Sequence, residues 1–134
     1  MPVFLVLERN GVIAEDIIGC IEAAGPCRII HATRAGQIAA RLDGEASLAA
    51  AVLEMRPGRV VETGLDKCLA ARGARIILTM GEEEQALARA RGWTMVLRPF
   101  TDQMLRTALL GDGAQAWGAG AARGARGDAP DAAG

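Results

Sequence analysis

Five times along the chain a short apolar run is followed by a segment of helical period, and this alternation constrains the fold more than any other feature. Val3-Phe4-Leu5-Val6-Leu7 is uninterrupted, as a strand buried on both faces requires. Ile13, Ile17, Cys20, Ile21 and Ala24 then mark one face of an amphipathic helix that Gly25 and Pro26 terminate. Arg28 to Ala32 is more polar, as expected of an edge strand, and a short helix follows around Ala35 to Leu42. A third run, Ala46 to Leu53, ends at Glu54; the turn Arg56-Pro57-Gly58 then leads into a helix carrying Val61, Leu65, Cys68 and Leu69. Ile76 to Leu78 predicts the fourth strand, Glu82 to Arg91 the fourth helix, Thr94 to Leu97 the fifth strand and Asp102 to Leu110 the last helix. Consecutive β-α units predict an α/β domain, a doubly wound parallel sheet with helices on both faces and right-handed crossovers. The functional crevice of such a sheet lies at the carboxyl ends of its strands.

Composition divides the chain near residue 110. Residues 1–110 form the folded domain, whereas 111–134 hold seven Gly and nine Ala and read as a flexible tail, too poor in apolar side chains to offset ordering entropy. Trp117 is the tail's one large apolar residue. With 15 basic against 16 acidic side chains, the chain lacks the cationic excess that non-specific nucleic-acid binding demands. Glu8 and Arg9 end the first apolar run after five residues, so no membrane span is expected. The N-terminus has no basic region or small-residue cleavage site, so no signal peptide is expected either. Cys20, Cys27 and Cys68 are odd in number and lack C-x-x-C spacing, which points to reduced thiols in a cytoplasmic protein.

The residues expected at the strand ends carry the functional argument. They are Glu8 and Arg9 after the first strand, Glu54 after the third, Thr79 after the fourth, and Arg98-Pro99 after the fifth. In order, spacing and residue type this set resembles the receiver domains of two-component response regulators, over residues 3–110. The resemblance implies a flavodoxin-like (βα)5 fold with strand order 2-1-3-4-5. It places Glu8 and Arg9 at the family's acidic pair, Glu54 at the phosphoacceptor, Thr79 at the switch hydroxyl, Met95 at the switch aromatic, and Arg98-Pro99 at the Lys-Pro, where receivers carry a cis bond.

The departures from the family pattern are mutually consistent. Receivers hold Mg²⁺ through hard oxygen donors, and a guanidinium at Arg9 cannot ligate a cation. Glu54 carries its carboxylate one methylene, roughly 1.5 Å, further than the family's Asp, which misplaces it for in-line attack on a phosphodonor. Arg98 keeps the charge of the usual Lys but not its shape. Two cations facing two anions predict at least one carboxylate-guanidinium pair among Glu8, Glu54, Arg9 and Arg98, with no Mg²⁺ or other cofactor required.

The expectation is therefore an atypical receiver, not an enzyme and not phosphorylated, that acts through protein-protein contacts with a sensor kinase or a downstream signalling protein, or as a homodimer. The resemblance implies a docking face formed by exposed Arg89, Trp93, Met95, Gln103 and Arg106, and Trp, Met and Arg are residue types enriched at interfaces. A conventional phosphorylatable receiver, which would need Mg²⁺, is the alternative. A flavin- or nucleotide-binding protein of the same fold is less expected, because Glu8 to Gly11 offers one Gly, no hydroxyl and a carboxylate where a phosphate-cradling loop would lie. Thr79-Met80-Gly81-Glu82 also has capping-box spacing, which predicts Thr79 as a helix N-cap. His31 is expected to be a surface residue, and the three Cys to be small core residues.

Overall fold

The alternating side chains of Val3-Phe4-Leu5-Val6-Leu7 divide between two cores, and this single strand organises the domain. In the computed structural model, which describes residues 1–111, strand β1 (Val3–Leu7) lies between β2 (Arg28–Ala32) and β3 (Ala50–Leu53). Strands β4 (Arg75–Leu78) and β5 (Thr94–Met95) complete a five-stranded sheet of order 2-1-3-4-5, parallel at every pairing. The fold is the flavodoxin-like doubly wound α/β arrangement. Leu5 faces Ile30 on one side and Ala51 on the other, so β2, β1 and β3 stay in one register.

Phe4, Val6, Ala50, Val52 and Ile77 point to one side of the sheet. There they meet Ile17, Cys20 and Ile21 of α1 (Gly11–Ala23) and Leu105, Ala108 and Leu109 of α6 (Asp102–Leu110). Leu5, Leu7, Ala51, Leu53, Ile76 and Leu78 point to the other side. That side is covered by α2 (Ile38–Arg41), α3 (Pro57–Glu62) and α4 (Leu65–Ala70), through Ile38, Val60, Leu65 and Leu69. Each fully buried Leu, Ile or Phe contributes about 1.5–3 kcal/mol, so these two layers supply most of the driving force for folding. The helix ends are set locally. The Asn10 side chain accepts from the N–H groups of Val12 and Ile13 at the start of α1, and Thr101 accepts from Met104 N–H at the start of α6.

Several expected elements are shorter or broken. The third apolar run forms a strand only over Ala50–Leu53, because its partner β1 begins at Val3 and leaves residues 46–48 without a neighbouring strand. There Leu48 N–H donates to the Arg72 carbonyl, and just before it the Arg72 side chain donates to the carbonyls of Leu42 and Glu45. The helix carrying Val61 and Leu69 divides into α3 and α4 at Gly64, whose φ of 73° is left-handed. The helices expected at 35–42 and 82–91 each open with a 3-10 turn, Ala35–Gln37 and Glu82–Glu84, before α2 and α5 (Gln85–Ala90). The fifth strand closes after Met95 rather than Leu97, and Arg98-Pro99 is a cis peptide. Cys20 is buried, Cys27 and Cys68 are half-buried, and all three are free thiols. Among the described residues no helix is long and apolar enough to cross a membrane. The expected tail at 112–134, with Trp117, lies outside the described residues.

Candidate functional site

The carboxyl edge of the sheet brings Glu8, Arg9, Glu54 and Arg98 together. Glu8 continues β1, and its N–H donates to the carbonyl of Ala32 while its own carbonyl meets His31 Nε2 at 3.1 Å. His31 is thus half-buried and tied to the site rather than a free surface residue. Glu54 continues β3 by donating its N–H to Leu7. These backbone bonds fix where both carboxylates begin, and strand pairing aims them into one space.

Arg98 fills that space from the loop after β5. Its Nη2 lies 2.9 Å from Oε1 of Glu8 and 3.2 Å from Oε2 of Glu54, so one guanidinium bridges both carboxylates. The remaining oxygens are also occupied: Glu8 Oε2 accepts from Asn10 N–H at 3.1 Å, and Glu54 Oε1 accepts from Arg9 N–H at 3.0 Å. Arg9 Nε stands a further 3.5 Å from Glu54 Oε1, with its side chain 76% exposed. The expected carboxylate-guanidinium pairing is therefore present three times over.

The two carboxylates titrate in opposite directions. Burial pushes Glu8 above the ordinary carboxylate range, against the lowering pull of Asn10 N–H and Arg98, and the neighbouring Glu54 charge adds to the rise. Burial would raise Glu54 as well, but the hydrogen bonds from Arg9 N–H and Arg98 and the two guanidinium charges prevail and hold it below that range. A proton entering the pair goes first to Glu8.

The Mg²⁺ of receiver chemistry does not fit this donor set. All four carboxylate oxygens already accept from protein donors, and the place between them, where a dication would bridge, is taken by Arg98. Arg9 adds a second positive charge at the rim. Among the described residues no group of three or more His, Cys, Asp or Glu side chains is placed to hold a metal ion.

Thr79 reaches the same edge but does not cap a helix. It is 2% exposed, and its Oγ1 donates to the Leu53 carbonyl at 3.4 Å, while Gly81 takes the N-cap position of the following 3-10 turn. The capping spacing is real in the sequence, but Gly81 with φ of 97° turns the chain away before a helix can start on Thr79. Glu84 Oε1 accepts from Gly58 N–H, a tie between the loops after β3 and β4. On the far side of the sheet edge, Arg89 and Gln103 are exposed as expected. Trp93, Met95 and Arg106 are only half-exposed: Trp93 and Met95 pack on the core, and Arg91 lies over the Trp93 ring at 5.8 Å from its centroid.

Two clefts open beside the bridged carboxylates. A cleft of about 210 Å³ lies between Glu54, Thr79 and Arg98. A larger one, about 560 Å³, spans the ends of β1, β2 and β3 and is bordered by Arg9, Arg34, Arg56 and Arg59. Arg34, Arg56 and Arg59 did not stand out as a group in the sequence. The available signal was an Arg two or three residues past the end of each of three successive strands, at Arg9, Arg34 and Arg56.

No protein-family model matches the chain, and no curated protein does. A crystal structure of a protein described as a pilus assembly protein, CpaE, from Burkholderia thailandensis E264 is similar, with 18% sequence identity and a TM-score of 0.62. The similarity covers 81% of this chain and 95% of that one, and at such low identity what the two proteins share is the fold.

Proposed function

We propose that this chain is an atypical receiver-type signalling module that acts by docking a partner protein and is not phosphorylated. The observation that carries the proposal is the Arg98 guanidinium lying between Glu8 and Glu54. It stands where receiver chemistry needs a dication, and it engages an oxygen of the carboxylate that would have to accept a phosphoryl group. Glu54 then serves as a fixed negative charge at the phosphoacceptor position, supplying about one charge where a phosphoryl group supplies nearly two. Thr79 donates to Leu53 rather than to Glu54, and Met95 takes the place of the switch aromatic, so the usual coupling between site and surface is absent from this reading.

The module binds rather than catalyses. Its partner is a sensor kinase or a downstream signalling protein, or a second copy of the chain, and the docking face is the one carrying Arg89, Trp93, Met95, Gln103 and Arg106. The fold-sharing protein's link to pilus assembly makes proteins of that apparatus the first partners to test. Three free thiols suit the reducing cytoplasm in which we place it.

The test is incubation with acetyl phosphate and Mg²⁺ followed by intact-mass analysis. The mass stays unchanged for the wild type and for Glu54→Asp, because Arg9 and Arg98 still exclude the metal. Glu54→Gln loses binding to the partner recovered from native cells. Phosphate carried covalently on Glu54, or wild-type binding by Glu54→Gln, overturns the proposal in favour of a phosphorylatable receiver or a passive carboxylate.

A further inference from the structure

The cleft at the ends of β1, β2 and β3 has the composition of an anion site that the bridged carboxylates do not use. Four guanidinium-bearing side chains border it against one carboxylate, Glu54, whose charge is already met by Arg98 and Arg9. Among the described residues neither Arg34 nor Arg56 has an ion-pair partner, and both are exposed. Among the described residues Arg59 pairs only with Glu62, at 3.7 Å on the surface of its own helix. Like charges gathered without counter-ions repel one another, so an anionic ligand entering here gains from each of them.

The floor narrows the ligand class. Leu7 and Met55, both 5% exposed, and Met80, 38% exposed, give the cleft an apolar base. An inorganic anion would leave that base uncovered. The volume of about 560 Å³ is that of a site for one small organic molecule. Methionine sulfur makes favourable contacts with aromatic rings, and guanidinium groups both grip phosphate bidentately and stack on planar rings. Position agrees as well, because the strand order reverses between β1 and β3, and ligands of open α/β sheets enter at such a switch point.

We propose that this cleft binds a nucleoside polyphosphate, its phosphates held by Arg34 and Arg56 with Arg9 and Arg59 at the rim, and its base resting on Met55 and Met80. This site is separate from partner docking on the β5 face, and its test does not depend on whether the chain docks a partner there.

Isothermal titration of the full chain with ADP tests it. The expected dissociation constant is on the order of 10 µM, weakening as salt is added. Pyrophosphate, which lacks the base, binds at least about tenfold more weakly. The double variant Arg34→Glu/Arg56→Glu loses about a hundredfold in ADP affinity. Lys67→Glu, on α4 away from the cleft, retains wild-type affinity. Both Arg positions are exposed, and far-UV circular dichroism verifies that the variants keep the fold. Three results overturn the proposal: no binding of ADP at 1 mM, unchanged affinity in the folded double variant, or pyrophosphate binding as tightly as ADP. Hexaglutamate binding more tightly than ADP also overturns it, and makes the cleft a docking surface for acidic peptides.

Discussion

Replacing Arg98 with Ala removes the cation that lies 2.9 Å from Glu8 and 3.2 Å from Glu54. Deleting one partner of a fully buried ion pair costs about 3–5 kcal/mol. The Glu8 side chain is 0% exposed but that of Arg98 is 34% exposed, so water screens one end and the expected loss at pH 7 is about 2 kcal/mol. The loss has a ceiling, because the stranded Glu8 can take up a proton. From its ordinary value of 4.5 to pH 7 that escape costs about 3.4 kcal/mol, at about 1.4 kcal/mol per pH unit. Burial already raises Glu8 in the folded state, and losing Arg98 raises it further. A carboxyl raised on folding makes the native state bind protons more readily than the unfolded chain, so stability recovers as pH falls through the raised value. The deficit therefore shrinks below about 1 kcal/mol at pH 5. Urea unfolding followed by far-UV circular dichroism at pH 7 and pH 5 measures both numbers. A variant within about 0.5 kcal/mol of wild type at pH 7, or a deficit that grows on acidification, refutes the reasoning and makes the bridge a solvated surface contact. Arg98→Lys keeps the charge but not the planar fork, and restores about half of the loss.

Glu54 behaves in the opposite sense, since its folded value is held below the ordinary range. Its ionisation stabilises the fold above about pH 4.5 by about 1 kcal/mol relative to Glu54→Gln, and that gap closes as pH falls through the lowered value; a gap that widens in acid contradicts the assignment. Gly81→Ala places a Cβ 2.6 Å from Pro57 Cδ and 3.1 Å from Arg56 Cα at a φ of +97°, so both backbone and packing object. The expected cost is about 3 kcal/mol in thermal unfolding, against about 1 kcal/mol for Gly44→Ala, which has a positive φ but open space around it. Asn10→Ala removes the side chain that caps Val12 and Ile13 while leaving the backbone N–H that serves Glu8, and costs about 1 kcal/mol in the same assay with no change in its pH dependence.

What the sequence determined by itself is the alternation and the places where it ends. A strand with helices on both faces must be apolar at every position, so Val3–Leu7 and Ile76–Leu78 announce themselves, and Asp102–Leu110 is marked by its own period. Because the functional edge of a parallel sheet is the set of strand ends, Glu8, Glu54, Thr79 and Arg98 could be named before any contact was known. Local pattern could not say that Glu8 is wholly buried, that His31 grips its carbonyl, or that Arg98 bridges two carboxylates across 90 residues of sequence. Nor could it shorten the run at Ala46, since a strand extends only as far as a neighbour offers hydrogen bonds. The cleft bordered by Arg9, Arg34, Arg56 and Arg59 belongs to the same class. Periodicity reports which face of a segment is covered, whereas the strand order and register of the assembled sheet decide which strand ends share a space. At this edge that choice alone sets which charges meet.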